Sequence, residues 1–402
     1  MRVLLVHSFY GSGAPSGENQ VFEIERTLLQ SRGHAVAEFT RHSDHIRAQG
    51  IWGAVKGAAA TPWNPFAAHA LRQMVAQFKP DVVHVHNTFP MISPAIFHAL
   101  AGTGAARVLT LHNYRLFCPA GIPMRSGKVC TECLDRQSVL PALQHGCYRN
   151  SRLATVPLAL NVALHRAVQT WTQQVEAFIT LTGFQRQRMV AAGLPEERVH
   201  VKPNFYPGSP TLVPWAERKP YVVFAGRLTA EKGIATLIKA WKLWGQAAPE
   251  LRVLGAGELQ AELVLMAQGM PVRFFGQVDA EKAQHHIANA SLLVLPSECF
   301  EGFPMVVREA FAFGTPVAVS DLGPLPSIVQ HGKSGVVFEA ANAAVLMQAI
   351  NQVWYAPGAL ERLGLGARAA FEANYTDEAN HATLVSIYEK SILNNFNNQG
   401  AQ

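Results

Sequence analysis

The feature that most constrains the fold is a repeated alternation of short, valine-rich apolar runs with longer stretches of helical character. This alternation is typical of βαβ units, in which crossover helices join parallel strands. Six runs in the first half are predicted to be strands: residues 2–7, 36–40, 82–86, 108–112, 178–182 and 199–201. The second half restarts the pattern with residues 221–226, 251–255, 272–276, 292–296, 316–320 and 336–338. The sequence therefore predicts an α/β protein of two doubly wound, Rossmann-like domains.

A proline-dense stretch separates the two series. Residues 202–220 contain five prolines, which is typical of a linker. A chain of 402 residues is long enough for two domains with full cores. We predict an N-terminal domain over residues 1–205 and a C-terminal domain over 206–375, followed by a final segment over 376–402. Such domains bind ligands at the carboxyl ends of their strands, so a cleft there is the expected site.

Charge is distributed unevenly along the chain. Residues 1–205 carry a net charge of +9 and 12 of the 16 histidines, whereas residues 206–402 carry −3. A basic half favours an anionic partner such as a membrane surface or a phosphorylated lipid. The basic residues are scattered and no nucleic-acid-binding motif accompanies them, which argues against nucleic acid.

The expected location follows from hydropathy. No run of 18 apolar residues occurs, and the apolar run near the N-terminus is too short for the core of a signal peptide. We expect a cytoplasmic protein, either free or peripheral on the inner face of the cell membrane.

The strongest functional signal is the segment SECFEGFPMVVREA, residues 297–310. It follows a predicted strand, and a helix is expected to begin near Phe303. The start of a helix offers unpaired N–H groups and a positive dipole end, which suit a diphosphate. Glu301 precedes this helix and Glu309 lies about two turns into it. The two carboxylates are therefore too far apart for a close acid/base pair, and they can meet different parts of one ligand.

Two cations follow the first strand of the second series, in the segment FAGRLTAEKG, residues 224–233. Arg227 and Lys232 can bind a pyrophosphate and stabilise a leaving nucleoside diphosphate. Gly255 and Gly276 end the next two strands, where glycine lets the backbone approach a base or a phosphate.

In this order, these segments resemble the second domain of retaining glycosyltransferase family 4, a GT-B family that includes sucrose-phosphate synthases and bacterial mannosyltransferases. The E-x7-E spacing from Glu301 to Glu309 and the segment around Arg227 and Lys232 are its signature. The resemblance covers essentially the whole chain. It implies a GT-B fold and a metal-independent hexosyltransferase of the EC 2.4.1 type. Such an enzyme uses no catalytic cofactor and takes a UDP- or GDP-linked sugar as its substrate.

The resemblance also implies site residues. Catalytic roles fall to His112, Glu301, Arg227 and Lys232. Glu301 is expected to contact the donor sugar and Glu309 the ribose. The donor-binding set is Gly17, Arg227, Lys232, Gly255, Gln277, Val278, Gly302, Phe303, Pro304, Met305, Val306 and Glu309.

Segments of the first domain match the family as well. The loop APSGEN, residues 14–19, carries Ser16 where the family usually has glycine, and Gly17 is expected to approach the donor phosphates. DVVHVHN (81–87) and TLHNY (110–114) supply a histidine that orients the donor or donates a hydrogen bond to its sugar, with His112 preferred to His86. The expected acceptor-side residues are Glu18, Asn19, His86, Asn87 and Asn113. His7 and His84, inside strands, are predicted to be hydrogen-bonded core residues.

The resemblance implies a mechanism with front-face attack, in which the leaving phosphate oxygen acts as the base. The sequence contains no Asp-x-Asp triplet, which fits binding of the diphosphate by Arg227, Lys232 and a helix end without a metal.

Four cysteines lie in an insertion at about residues 115–150, namely Cys118, Cys130, Cys133 and Cys147. The C-x2-C pair with two outer cysteines is consistent with a structural zinc site or with four free thiols, and both interpretations stay open. Basic residues surround these cysteines, so the insertion is expected to shape the acceptor site and attract a lipid diphosphate.

An apolar, basic stretch at residues 152–175 has two interpretations. Its apolar residues recur at helical spacing, which fits either a helix lying on a membrane or a helix facing the core. These residues are Leu153, Val156, Leu160, Leu164 and Val168. Trp52 and Trp63 flank a second apolar segment that could touch lipid.

The sequence as a whole predicts a hexosyltransferase that builds a bacterial surface polysaccharide or a lipid-linked oligosaccharide. A nucleotide-sugar 2-epimerase on the same fold and a non-catalytic sugar-nucleotide-binding subunit are the alternatives. The final helix, at about residues 375–392, is expected to return to the first domain, and residues 393–402 are expected to be disordered.

Overall fold

The computed structural model describes residues 1–11 and 16–400, with side chains described to residue 396. The chain forms two units. The N-terminal unit comprises Met1–Pro123, Thr131–Pro203 and Asn380–Gln402, and the C-terminal unit comprises Met124–Cys130 and Asn204–Ala379. Ala14 and Pro15, in the loop expected near donor phosphates, lie outside the described residues.

The N-terminal unit is built on a six-stranded parallel sheet with the order β2-β1-β3-β4-β7-β8. Its central strands are buried along their whole length, as valine-rich strands covered on both faces must be. The strands are β1 (Arg2–Phe9), β2 (Ala35–His42), β3 (Val82–Asn87), β4 (Ala106–Leu111), β7 (Ala177–Thr180) and β8 (Val199–Val201).

Ten helices of this unit precede the linker, and they cover the sheet and form the insertion. They are α1 (Gly17–Ser31), α2 (Asp44–Arg47), α3 (Gly50–Ala60), α4 (Pro65–Phe78), α5 (Ala95–Ala99), α6 (Glu132–Asp135), α7 (Leu140–His145), α8 (Arg152–Ala167), α9 (Thr170–Gln173) and α10 (Gly183–Ala191). Side-chain caps fix several starts: Asn64 accepts a hydrogen bond from the Ala67 N–H at α4, and Ser151 accepts one from the Ala154 N–H at α8.

The C-terminal unit repeats the architecture with a parallel sheet of order β11-β10-β9-β12-β13-β14. Its strands are β9 (Lys219–Ala225), β10 (Glu250–Leu254), β11 (Val272–Gly276), β12 (Ala290–Leu295), β13 (Val317–Ser320) and β14 (Gly335–Phe338). A two-stranded antiparallel hairpin, β5 (Met124–Arg125) and β6 (Lys128–Val129), is grouped with this unit. The sequence predicts these residues to be part of the first domain, residues 1–205, whereas the structure groups them with the second unit.

Seven helices belong wholly to the C-terminal unit: α11 (Ile234–Trp244), α12 (Gln260–Met266), α13 (Ala280–Asn289), α14 (Met305–Ala312), α15 (Leu325–Ile328), α16 (Ala343–Trp354) and α17 (Ala359–Asn374). The core between sheet and helices is centred on Trp241, whose indole N–H donates to the Pro249 carbonyl at 2.8 Å. The prediction of two doubly wound α/β domains is confirmed.

The last helix, α18 (Asp377–Gly400), returns to the N-terminal unit. Leu384, Ile387 and Tyr388 are buried in the same core cluster as Val3 and Leu5 of β1. The expectation of a disordered tail from residue 393 is wrong up to Gly400, because the helix continues through these residues. Asn395 explains part of this continuation: its side-chain amide donates to the Gly104 carbonyl at 2.8 Å.

Within residues 1–11 and 16–400, no helix is long and apolar enough to cross a membrane.

Candidate functional site

The carboxyl ends of the strands in the C-terminal unit are joined by backbone hydrogen bonds. The Gly226 N–H donates to the Leu254 carbonyl at 3.0 Å, and the Gly255 N–H donates to the Gly276 carbonyl at 2.8 Å. The loops after β9, β10 and β11 therefore form one continuous backbone surface.

Two of the glycines in these loops are required by geometry. Gly255 has a φ of +130°, and a Cβ there would lie 1.9 Å from the Gly226 carbonyl oxygen. Gly233 has a φ of +65°, and a Cβ there would lie 1.8 Å from the Pro296 carbonyl oxygen. Any side chain at either position would push these loops apart, so glycine is needed to hold them together.

Lys232, in the loop after β9, contacts Glu301, in the loop after β12. The Lys232 ammonium donates to Glu301 Oε1 at 2.7 Å, and the Ser297 hydroxyl donates to the same oxygen at 2.5 Å. Both charged side chains are mostly buried. Sequence analysis selected both residues, and the structure brings them into direct contact.

The protonation states of this pair follow from their contact. Burial would raise the pKa of Glu301, but the Lys232 ammonium and the hydrogen bonds from Lys232 and Ser297 hold it below its usual value. Burial would lower the pKa of Lys232, and the Glu301 carboxylate raises it above its usual value. Both side chains are therefore charged near neutral pH, and each neutralises the other.

Arg227 lies at the start of the same loop with a more open side chain. It is 53% exposed, and its guanidinium donates to Glu231 at 3.0 Å. An exposed pair of this kind contributes little to stability and is easily exchanged. Arg227 can therefore turn to an anionic ligand at low cost.

Glu309 is placed differently from the sequence expectation. Helix α14 begins at Met305 rather than near Phe303, so Glu309 lies just over one turn into it. The reason is that Pro304 has an extended conformation, with ψ at 122°, and delays the helix. Burial raises the pKa of the Glu309 carboxyl, although Arg308 opposes this shift.

The other predicted donor residues occupy the turns around this surface. Gly302, Phe303 and Pro304 connect Glu301 to α14, and Met305 and Val306 form its first turn. Phe303 is buried and its ring lies 5.3 Å from that of Tyr375. Gln277 is exposed, and its amide donates to the Val278 carbonyl.

The N-terminal unit has a pocket at the carboxyl ends of β3 and β4. It is lined by His86, Asn87, His112, Asn113 and Arg115, together with Thr61, Thr88, Phe89, Pro94, Phe97, Leu109, Thr110, Leu111, Leu116, Asn161 and Trp171. The first four of these were predicted from sequence as site residues. Strand direction explains the grouping, since neighbouring parallel strands deliver their last residues to one edge.

The two pocket histidines are in contact. His86 Nδ1 lies 3.2 Å from His112 Nε2, and the rings are stacked with centroids 5.3 Å apart. Burial, with His86 next to it, lowers the pKa of His112 well below its usual value. His112 is therefore neutral at physiological pH.

The first turn of α1 contributes residues beside the pocket. Gly17 is the first residue of α1, and the Glu18 carboxylate accepts a hydrogen bond from the Asn113 amide at 2.7 Å. Burial raises the pKa of Glu18. Asn19 bonds instead to His7 Nε2 at 3.0 Å, so its amide is committed to the protein.

The two strand histidines are buried, as predicted. His84 has partners on both ring nitrogens, at 2.7 Å to the Tyr388 hydroxyl and 2.7 Å to the Thr110 hydroxyl. His7 is paired through Nε2 with Asn19.

Sequence analysis missed a buried acid behind the pocket. Glu25 on α1 is 1% exposed, and its Oε2 accepts a hydrogen bond from the Lys202 ammonium at 2.7 Å. Its Oε1 lies 3.2 Å from His84 Nδ1 and 3.2 Å from His86 Nε2. Burial would raise the pKa of Glu25, but Lys202 and His86 hold it well below its usual value.

This cluster contains atoms of the kind that bind metal ions, but the charges around them do not favour a bound cation. Glu25, His84 and His86 offer ligand atoms within 4.8 Å of one another. The Lys202 ammonium already neutralises Glu25 and would repel a bound cation. The residues present therefore fit an ion-pair network and do not fit a metal.

Of the two interpretations left open for the cysteines, the structural zinc site finds no support in the described residues. Cys118, Cys130, Cys133 and Cys147 form no disulfide in the described part of the chain. Three of them, Cys118, Cys133 and Cys147, lie in the N-terminal unit, yet across the described part of the chain they form no cluster of the kind that could hold a metal. Burial raises the pKa of the Cys118 thiol to about 12.

Comparison with known families gives two matches in chain order. The model described as Glycosyltransferase Family 4 matches residues 17–207, and the model described as Glycosyl transferases group 1 matches residues 213–369. The two models together span both sheets.

Individual relatives are more distant. The sulfoquinovosyl transferase SQD2 of Arabidopsis thaliana is 24% identical over 314 residues, which is 74% of this chain and 54% of that protein. The D-rhamnosyltransferase WbpZ of Pseudomonas aeruginosa is 30% identical over 177 residues, or 42% of this chain and 46% of that protein. The matched regions thus span about half the length of these relatives.

A solved structure extends the likeness to the whole fold. The structure of Anabaena Alr3699/HepE in complex with UDP aligns with a TM-score of 0.64 at 17% identity, covering 97% of this chain and 100% of that one. At this identity the likeness concerns the fold, which is GT-B.

Proposed function

Because the chain belongs to the family 4 glycosyltransferases, matched by their two domain models over residues 17–207 and 213–369, we propose that it transfers a hexose from a nucleotide sugar to a glycan or lipid-linked acceptor, with retention of configuration. The product is a bacterial surface polysaccharide or a lipid-linked precursor of one. The observation that carries this proposal is the Lys232–Glu301 pair on the backbone surface of the C-terminal unit.

That pair supplies the chemistry that donor cleavage needs. Breaking the bond between sugar and diphosphate leaves negative charge on the phosphate, and Lys232 and Arg227 are the cations that stabilise it. Glu301 then exchanges its bond to Lys232 for a hydroxyl of the donor sugar, and Glu309 binds the ribose. The leaving phosphate oxygen takes the proton of the acceptor hydroxyl, so the reaction needs no metal.

The donor is a UDP- or GDP-linked sugar. Solved structures of HepE contain UDP and UDP-glucose, which supports a uridine donor for this chain as well. The sequence identity to that protein is 16 to 17%, so the thermal-unfolding experiment below identifies the base of the donor.

Thermal unfolding with a panel of UDP-, GDP- and ADP-sugars tests the donor site. One family of donors should raise the melting temperature of the wild type, because a ligand that binds only the folded state stabilises it. Arg227→Ala should lose most of this rise. Lys242→Ala removes the same charge from an exposed position on α11 and should keep it.

Three results would count against the donor site. Stabilisation that is equal in Arg227→Ala and wild type would contradict the assignment of Arg227. The absence of any stabilising donor would contradict the assignment of a donor site to these residues. Conversion of the donor without an acceptor to its 2-epimer would favour the epimerase.

A membrane-bound acceptor is the second part of the proposal. Apolar side chains on α3, at the start of α4 and along α8 point outward: Ile51, Trp52, Val55, Phe66, Leu153, Val156 and Leu160. Trp52, Phe66 and Leu153 are 76%, 85% and 83% exposed. An exposed set of large apolar residues of this kind is typical of a surface that binds another molecule or a membrane.

Charge favours an anionic lipid surface as the partner. Residues 45–80, which contain α3 and α4, have four Lys or Arg and no Asp or Glu. Residues 136–175, which contain α8, likewise have four Lys or Arg and no Asp or Glu. A surface of this kind binds anionic membranes in two ways at once. Its apolar side chains are buried among the lipids, and its cations are attracted to the anionic headgroups.

The same elements border the pocket. Thr61 at the end of α3 and Asn161 on α8 both line it, and His165 of α8 lies 2.8 Å from the Pro62 carbonyl after α3. A lipid-linked acceptor held at this surface would therefore reach the pocket from the membrane side. The protein is accordingly proposed to act as a peripheral enzyme on the inner face of the cell membrane.

A further inference from the structure

The buried acid Glu25 has no part in the reaction proposed above, yet it stands behind the pocket histidines. Its two carboxylate oxygens have different partners. Oε2 accepts from Lys202 at 2.7 Å, whereas Oε1 lies 3.2 Å from His86 Nε2. The other nitrogen of His86 lies 3.2 Å from His112 Nε2. These contacts form a line of four side chains, Lys202, Glu25, His86 and His112, which runs from a buried ion pair to the pocket.

The rings in this line are held in place by packing. Phe22 of α1 meets the His86 ring edge to face at 5.4 Å, and His84 lies 4.4 Å from its other side. His112 is stacked on His86. The rings cannot turn without moving buried neighbours, so the contacts of each nitrogen are fixed.

The proton positions follow from the partners. An ionised carboxylate can only accept hydrogen bonds, so the 3.2 Å contact with Glu25 Oε1 favours a neutral His86 with its proton on Nε2, on the side of the carboxylate. Nδ1 of His86 is then an acceptor and must receive the proton of His112 Nε2. A neutral histidine has one ring proton, which leaves the Nδ1 of His112 as an acceptor.

That remaining nitrogen is free for a ligand. Among the residues that the structure describes, Nδ1 of His112 makes no hydrogen bond, and the His112 ring lines the pocket. We infer that Glu25, held by Lys202, is a positioning residue that fixes the tautomers of His86 and His112, so that His112 Nδ1 accepts a hydrogen bond from a sugar hydroxyl. The role of the hydroxyl rests on the proposed function, whereas the tautomers do not.

Charge and burial favour the protonation states of Glu25 and His112 that these proton positions require. The Lys202 ammonium holds the pKa of Glu25 well below its usual value, although burial alone would raise it. Burial lowers the pKa of His112 well below its usual value. At neutral pH Glu25 is therefore ionised and His112 is neutral, as the inferred proton positions require.

Replacing Glu25 by glutamine makes a sharp test. Lys202 can only donate, so it requires the amide oxygen at the position of Oε2. The amide NH2 then occupies the position of Oε1 and donates to His86 Nε2. Donor and acceptor then exchange roles at each contact. His86 accepts at Nε2 and carries its proton on Nδ1, so it donates to His112 Nε2, and the proton of His112 lies on Nδ1. Glu25→Gln should therefore move the His112 proton from Nε2 to Nδ1.

A second variant provides the matched control. In Glu25→Gln/Lys202→Met the ammonium is gone, so the amide is free to turn its oxygen toward His86. Its NH2 then faces Asn380 Oδ1, which accepts from Lys202 at 3.4 Å in the wild type. The double variant should regain the wild-type tautomers although it retains the glutamine.

The measurement is ¹⁵N NMR of the full-length protein labelled at histidine, at pH 7.5. The His112 signals are identified by their loss in His112→Gln. We expect a proton on Nε2 in the wild type, on Nδ1 in Glu25→Gln and again on Nε2 in the double variant. Transfer by Glu25→Gln should fall at least about tenfold, with recovery in the double variant.

The outcomes separate this inference from the proposed function. A wild-type His112 with its proton on Nδ1, or an unchanged tautomer in Glu25→Gln, overturns the positioning role. If Glu25→Gln does not fold, the wild-type spectrum alone still decides. Reversed tautomers in a protein that transfers no sugar would contradict the proposed function and leave the inferred role of Glu25 intact.

Discussion

At the residue scale, the Lys232–Glu301 contact means that the proposed donor site holds its own counter-charge before any ligand arrives. Glu301 accepts from Lys232 at 2.7 Å and from Ser297 at 2.5 Å. A diphosphate therefore competes with Glu301 for Lys232. Under the proposed function, Glu301 becomes available to the donor sugar only when the phosphates take its place at Lys232.

This competition predicts opposite effects on binding and turnover in Glu301→Gln. Without the carboxylate, Lys232 is free to meet a phosphate, so UDP or GDP should bind as well as or more tightly than in the wild type. Transfer should fall at least about tenfold, because the sugar loses a charged partner. Calorimetry with the nucleoside diphosphate and a transfer assay measure the two effects.

The control for this variant is Glu298→Gln. Glu298 lies in the same loop, and its carboxylate accepts a hydrogen bond from the Thr236 hydroxyl at 2.6 Å. It should leave diphosphate affinity unchanged. Weaker diphosphate binding in Glu301→Gln would mean that Glu301 orders the loop rather than competing for Lys232.

Sequence predicted the pocket histidines but not the acid behind them, and the reason is physical. His86 and His112 end strands, and strand ends can be located from valine-rich runs. Glu25 lies on a helix, and its contact with Lys202 joins residues 177 positions apart. One local signal existed: Glu25 falls on the buried face of α1 with Val21 and Leu28, at helical spacing. A charged residue on an apolar face requires a partner, although the sequence does not say which.

At the scale of elements, α8 presents apolar residues on two faces. Leu158 and Val162 are buried, whereas Leu153, Val156 and Leu160 are exposed. The stripe that sequence analysis found is the exposed one, so the core-facing interpretation of these residues is wrong. Apolar residues at helical spacing show that a helix has an apolar face. They do not show whether that face contacts the core or lipid, because both environments favour the same side chains.

The exposed face predicts binding to vesicles. Trp52→Ala and Leu153→Ala should each lower partitioning onto vesicles that contain phosphatidylglycerol by at least about tenfold, since burying one large apolar side chain contributes roughly 1.5–3 kcal/mol. Flotation with anionic and with neutral vesicles measures this. Binding should weaken at high salt and on neutral lipid, because both reduce the contribution of the basic residues.

A variant of the C-terminal unit serves as the control. Leu365 on α17 is 64% exposed, so Leu365→Ala removes a similar apolar group from a helix outside the proposed surface. It should leave flotation unchanged. If wild type does not float with anionic vesicles, the membrane part of the proposed function fails while the donor site stands.

At the scale of the whole molecule, the sequence predicted the twelve strands of the two large sheets within two residues at either end, yet it gave neither their order nor their partners. The order β2-β1-β3-β4-β7-β8 depends on crossovers between distant parts of the chain. The cysteine insertion was the least predictable part. Spacing alone cannot place four thiols around one ion when short helices and a hairpin intervene.

The return of α18 to the N-terminal unit predicts that the end of the chain stabilises its beginning. Leu384 is fully buried in the core cluster that contains Val3 and Leu5, so Leu384→Ala should cost about 2–5 kcal/mol in unfolding free energy. Leu393 on the same helix is 63% exposed, and Leu393→Ala should cost little. Hydrogen exchange should report the loss in β1 and β3 while β9 and β12 keep their protection, because α18 packs in the first core. Equal loss in both sheets would mean instead that the two units unfold together, and that α18 stabilises the chain as one cooperative structure.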